Sequence, residues 1–189
     1  QAQYIPEENR PRTVTEGFYG QLLNSGKPIV FKERHSAAGL HVEILTQAEV
    51  DTRELWKIEK FGYKLFSGAT FVVQELIEWE QFVRCLCLGQ EEVLPMRYDP
   101  KARKYIVDSA YLAPALRDRI VRDSLTLVRA LGYDMNSIEW AVRGGVPYAI
   151  DFMNPAPDCD INSLTQEYFD WAVRHMADLA IRLAKRKPG

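Results

Sequence analysis

The chain has 189 residues, 47% of them hydrophobic, with a formal net charge of −2. That is enough apolar material for one large domain or two small lobes, and it makes disorder the wrong starting point. The charge balance excludes a protein whose main task is coating nucleic acid, which needs a basic surface. No apolar run approaches the ~20 residues of a membrane helix, and no signal-peptide pattern opens the sequence.

The first dozen residues, QAQYIPEENRPR, are polar, contain Pro and lack an initiating Met. They read as a linker cut from something longer, or as a processed start. Val14 to Asn24 is helical in pattern and is closed by Gly26-Lys27-Pro28. PIVFKE then reads as a strand, HSAAGL interrupts it, and HVEIL resumes, so the pair is expected to form a hairpin with Lys32 near the end of its first arm. Gln47 to Glu59 is expected to be a helix. FVVQELI is a nearly continuous apolar strand, expected to be buried. EQFVRCLCLG, EEVLPMRYDP and KYIVD follow as a run of antiparallel strands.

Pro114 can open the next helix, with Leu116, Ile120, Leu127, Val128 and Leu131 as its apolar stripe and Gly132 at its C-terminal cap. NSIEWAVR and VPYAIDF read as two strands joined at Gly144-Gly145. The last helix is expected to start at Ser163, with Gln166 completing a capping box and Phe169, Val173, Met176, Ala180 and Leu183 buried. The summed pattern is α+β: antiparallel sheets with packed helices, in two lobes. Cys85, Cys87 and Cys159 lack framework spacing, which points to a reducing, cytoplasmic setting, and a C-x-C alone is too little for zinc.

The densest chemistry lies in IEWAVRGGVPYAIDFMNP. Glu139, Asp151 and Asn154 offer two carboxylates and an amide oxygen on or just after neighbouring strands, a set that suits Mg²⁺. A plain two-residue turn at Gly144-Gly145 would set Glu139 opposite Ile150. A three-residue loop, Gly144 to Val146, would pair it with Asp151 directly. Asn154, three positions beyond Asp151, needs a kink or bulge at Phe152-Met153 to return to the same face. The bland alternative makes Glu139 and Asp151 solvent-facing strand residues.

In order along the chain, these segments resemble the ATP-grasp superfamily. PIVFKERHSAAGLHV resembles the phosphate-contacting hairpin and flap, and FVVQELI the linker strand that grips adenine. NSIEWAV is similar to the strand bearing the first metal-binding acid, and VPYAIDFMNPAPD to the closing acid-and-Asn signature. The match runs from about Pro28 to Asp158. The resemblance implies an ATP-grasp fold, two lobes (1–74 and 75–189) of antiparallel sheet with helices and ATP in the cleft between them.

It further implies that Lys32 contacts the α/β-phosphates and that Ser36, Ala37, Ala38 and Gly39 form the flap. Glu75 and Ile77, in the run Gln74-Glu75-Leu76-Ile77, would bind the adenine edge through the backbone, and Glu80 the ribose hydroxyls. Glu139, Asp151 and Asn154 would hold Mg²⁺. Arg97 or Arg143 would stabilise the transferring phosphoryl group, unless either is an ordinary surface Arg. On generic grounds Lys32 also suits a snorkelling strand end. His35, beside the flap, could touch phosphate; His41 and His175 fit no catalytic spacing.

The sequence departs from the family in two places. The family usually has one residue between the final acid and the Asn, where this chain has Phe152 and Met153, and its flap has Ala-Ala where Gly often sits. The function implied is a Mg·ATP-dependent ligase core that activates a carboxylate as an acylphosphate for attack by an amine. Such a core works on a small-molecule or peptide acid beside a further N-terminal domain. The alternative is a nucleotide-binding or structural fragment that ligates nothing.

Overall fold

The computed structural model describes residues 25–33, 42–51 and 71–185, within two compact units, Gln1–Leu76 and Ile77–Gly189. In the first unit, β1 (Ile29–Glu33) is the middle strand, pairing antiparallel with β2 (Val42–Leu45) on one side and β3 (Phe71–Glu75) on the other. Its β-branched and aromatic run suits a pleated surface, and Ile29 is buried directly across from Leu45. A short helix, α1 (Gln47–Asp51), opens on a reciprocal cap: the Thr46 N–H donates to Glu49 Oε2 at 2.8 Å, and the Glu49 N–H donates to Thr46 Oγ1 at 3.4 Å. The hairpin expected around Lys32 is present. The helix expected over 14–24, the remainder of the one reaching Glu59, and the flap with His35 and His41 lie outside the described residues.

The second unit is a five-stranded antiparallel sheet. Its strands are β4 (Gln81–Leu88), β5 (Glu92–Asp99), β6 (Lys104–Ile106), β7 (Met135–Arg143) and β8 (Val146–Asn154), in the order β6-β5-β4-β7-β8. Two helices belong to it, α2 (Pro114–Leu131) and α3 (Gln166–Lys185). Successive strand residues point to opposite faces, and the central β4 is apolar on both. Val83, Cys85 and Cys87 join Ile138, Trp140 and Val142 under Ile120 and Val128 of α2. Leu86 and Leu88 lie on the other face, under Tyr168 and Ala172 of α3. Each fully buried aliphatic here contributes about 1.5–3 kcal/mol. A polar contact inside the α2 layer is satisfied, since the Trp140 indole donates to Ser124 Oγ at 3.0 Å. The α2 helix begins at Pro114 and ends at Gly132, whose φ of 73° lets its N–H reach the Val128 carbonyl at 2.9 Å, as expected from sequence.

The last helix departs from expectation twice. It starts at Gln166, because the Ser163 hydroxyl is taken by Asp158 and the Gln166 amide donates along the helix to Asp170, so no capping box forms. The Ser163 hydroxyl and then the Asp160 amide hold the Asp158 carboxyl below its ordinary range. Its buried stripe is also rotated. Tyr168, Ala172 and Leu179, with Phe169 at the margin, meet the sheet, whereas Val173 is 50% and Met176 and Leu183 each 37% exposed. Tyr168 selects this face: it is buried in the cluster that holds Leu86 and Leu88, and its hydroxyl donates to the Ile106 carbonyl at 3.0 Å.

Candidate active site

Glu139, Asp151 and Asn154 share one face of the second unit's sheet, and two irregularities in β8 put them there. The β7–β8 turn has two residues: Arg143 faces Val146, and Gly144 and Gly145 both have positive φ, 57° and 71°. Such a turn matches strand twist and is open to Gly at little cost. The three-residue loop considered from sequence is therefore replaced by a different device. Trp140 faces Ala149 but Glu139 faces Asp151, so Ile150 is an extra residue in the ladder. A second shift sets Ser137 opposite Asn154. Phe152 packs into the α2 core and Met153 is exposed, so Met153 is the second extra residue. The kink expected at Phe152-Met153 is where the structure has it.

Asn136 sits at this second bulge. It is fully buried, donates from Nδ2 to the Phe152 carbonyl at 2.9 Å, and accepts from the Asn154 N–H on Oδ1 at 2.9 Å.

Arg84 also projects from the face that carries Glu139, its partner across the β4–β7 ladder. Its guanidinium pairs with the Glu139 carboxylate, donates to the Tyr105 hydroxyl at 3.2 Å and lies 4.2 Å from the Tyr98 ring centroid. Burial works against its charge, but Glu139 and Tyr105 together outweigh burial and hold its pKa above the ordinary value. Burial in turn raises the Tyr105 hydroxyl, partly offset by Arg84. An aromatic series Trp79, Phe82, Tyr98, Tyr105, Tyr168 continues along this face, with successive ring centroids 4.8–6.4 Å apart.

The remaining expected residues divide by position. Arg143 is on the Glu139 face by strand alternation, its guanidinium 5.3 Å from the Tyr148 ring centroid. Arg97 is on the opposite face, across from Val83, where it pairs with Asp108 at 2.8 Å and lies over Tyr111. Glu80 accepts from the Gly144 N–H at 3.2 Å through one carboxylate oxygen, which ties the start of β4 to the β7–β8 turn. In the first unit, Lys32 is half-buried at the end of β1, and Glu75 pairs with Lys27 at 3.1 Å. The Leu76 N–H donates to the Pro28 carbonyl at 3.3 Å, and Gln74 faces Val30. Ile77 follows β3 as the first residue of the second unit. Ser36 and Gly39 lie outside the described residues.

Sequence reasoning missed Arg84 and Asn136. The signal for Arg84 was a charged residue at the same parity as Leu86 and Leu88. For Asn136 it was the acid–Asn spacing, which needs something to hold the kink. Two carboxylates and an amide facing one way fit a hard divalent cation such as Mg²⁺ by donor chemistry.

No family profile matches the sequence, and no curated protein matches it. Solved structures do. A D-alanine–D-alanine ligase from Bacillus anthracis, complexed with ATP, superposes with a TM-score of 0.65 at 16% identity over 97% of this chain and 59% of that one. Biotin carboxylase from Campylobacter jejuni, in a β,γ-ATP complex, gives 0.54 at 12% identity over 74% of this chain and 33% of that one. The ATP-grasp ligase PsnB, with a precursor peptide and AMPPNP, gives 0.53 at 12% identity over 82% and 48%. The chain thus spans little more than half the length of the ligases it superposes on, or less. With two antiparallel sheets, packed helices and these neighbours, the chain has the ATP-grasp fold.

Proposed function

We propose that this chain is the nucleotide-binding core of a Mg·ATP-dependent ligase that activates a carboxylate as an acylphosphate for attack by an amine. The observation that carries the reading is the convergence of Glu139, Asp151 and Asn154 on one face through two bulges. A strand with ordinary solvent-facing acids has no need of either. Those three residues would hold Mg²⁺, which supplies charge neutralisation on the phosphates when bound. Arg143, on the same face, is the guanidinium that stabilises the transferring phosphoryl group in this reading; Arg97 points to the other face, where it pairs with Asp108. Lys32 contacts the α/β-phosphates as a point charge. The backbone of Glu75 and Ile77, in the run from Gln74 through Leu76, takes the adenine edge. The second oxygen of Glu80 takes the ribose, and Ser36 to Gly39 cover the phosphates.

A ligase of this kind works by positioning and electrostatics, without a protein nucleophile. The acceptor acid, small or peptidic, would be held with the help of a further N-terminal domain, and the free thiols suit a reducing, cytoplasmic compartment.

Titration with ATP, with and without Mg²⁺, tests the reading, followed by ADP release across acid–amine pairs. Binding should be metal-dependent, and Asp151→Asn should weaken it at least tenfold with unchanged circular dichroism. Asp151→Asn with wild-type binding removes that residue from the site. Tight binding without phosphate release under any pair favours a nucleotide-binding module.

A further inference from the structure

We infer that Asn136 is the positioning residue of the cation site: its carboxamide locks the second β8 bulge so that an acid and an Asn with two residues between them still present their oxygens on one face. The inference rests on the metal reading above for its function, but the lock itself is a feature of the backbone. Asn136 belongs to the α2 face, opposite Cys87, and has no solvent exposure. It contributes no group to the Glu139 face. What it does is span Met153 from behind, taking the carbonyl before that residue and the N–H after it.

Those are the two backbone groups that the extra residue would otherwise leave unpaired at a part-buried point of the ladder. The side chain must donate and accept at once, with a reach of one amide. Asp offers only acceptors and would bury a charge; Ser is too short; Leu offers neither group. Without the lock, the regular register continues from Glu139–Asp151, and Met153 takes the place opposite Ser137. Asn154 then turns to the other face and the donor set loses its amide. Asn136 is thus the counterpart in β7 of the extra residue in β8, and the two belong together.

Their pairing suggests the test. In the full chain, Asn136→Ser should weaken Mn²⁺·ATP binding, read by electron paramagnetic resonance, about ten- to a hundredfold, the range for losing a group that orients a metal ligand. Deleting Met153, an exposed side chain, restores an acid-x-Asn spacing in a plain ladder and should leave binding near wild type. In that background Asn136→Ser should weaken binding less than threefold. A loss in the double variant equal to that of Asn136→Ser alone overturns the inference, as does wild-type affinity in Asn136→Ser. If Asn136→Ser does not fold by itself, recovery of a folded double variant supports the lock, and a double that stays unfolded overturns it. Amide exchange separates the lock from the metal reading. An Asn154 N–H that is slow in the wild type and fast in Asn136→Ser establishes the lock even if no metal nucleotide binds, in which case only the proposed function fails. A fast Asn154 N–H in the wild type removes the lock whatever binds.

Discussion

Arg84 and Glu139 hold each other on a face that the proposed chemistry needs to be both anionic and accessible. Both side chains are mostly out of solvent, 27% and 23% exposed, so removing one strands the other in a poor environment. Arg84→Met should therefore lower stability by about 2 kcal/mol, between the values for exposed and buried pairs, with part of the loss recovered in Arg84→Met/Glu139→Gln. Urea midpoints check both, and a neutral Arg84→Met would mean that the pair is only a surface contact. The same variant should tighten Mn²⁺ binding in the absence of nucleotide, since it removes a cation competing for the Glu139 carboxylate. At this scale the sequence told much. Glu139, Asp151 and Asn154 were legible because acids and Asn in strand positions are conspicuous. Asn136 and Arg84 were not, because their roles depend on which backbone groups and which neighbour the register brings to them.

Strand register is where local pattern ends and tertiary structure begins. The alternation of β7 and β8 announces two strands and a Gly-Gly turn, yet one extra residue reverses every side chain beyond it. Here two such residues, Ile150 and Met153, do so in succession. The turn makes its own demand. Gly144 and Gly145 have positive φ but meet nothing where a Cβ would sit, so substitution there costs backbone strain alone. Gly144→Val should lose about 1–2 kcal/mol, and Gly144→Asn much less, since Asn tolerates the left-handed region. Equal midpoints in chemical denaturation for Gly144→Val and wild type would show that the turn relaxes to another form. Helix α3 teaches the complementary lesson. Its apolar residues serve two faces, and Tyr168, with a ring for the core and a hydroxyl for Ile106, decides which one packs. Val173, Met176 and Leu183 carried the stronger helical pattern and remain outside.

For the molecule as a whole, the order of strands and helices was readable because each element keeps its own periodicity over many residues. The α+β class follows from that order, while the ATP-grasp resemblance rests on four motifs, from PIVFKERHSAAGLHV to VPYAIDFMNPAPD, standing in sequence along it. No helix among the described residues is long and apolar enough to cross a membrane. The neighbouring ligases supply the fold at 12–16% identity, so roles within it stand on this chain's own residues. Burial of Cys85 and Cys87 between β4 and α2 has one more consequence. Burial, and for Cys85 the neighbouring Cys87, pushes both thiols up, Cys87 to about 12. A folded state that keeps its protons above pH 9 loses ground to an unfolded one that releases them. The denaturation midpoint should accordingly fall between pH 9 and 12, and less so in Cys85→Ala/Cys87→Ala, compared by urea titration at each pH. At neutral pH the same pair is a built-in clock. Half-buried Cys159 should react first with an alkylating reagent, and the two sulfurs under α2 only when that helix lifts, so their modification rate counts openings of this layer.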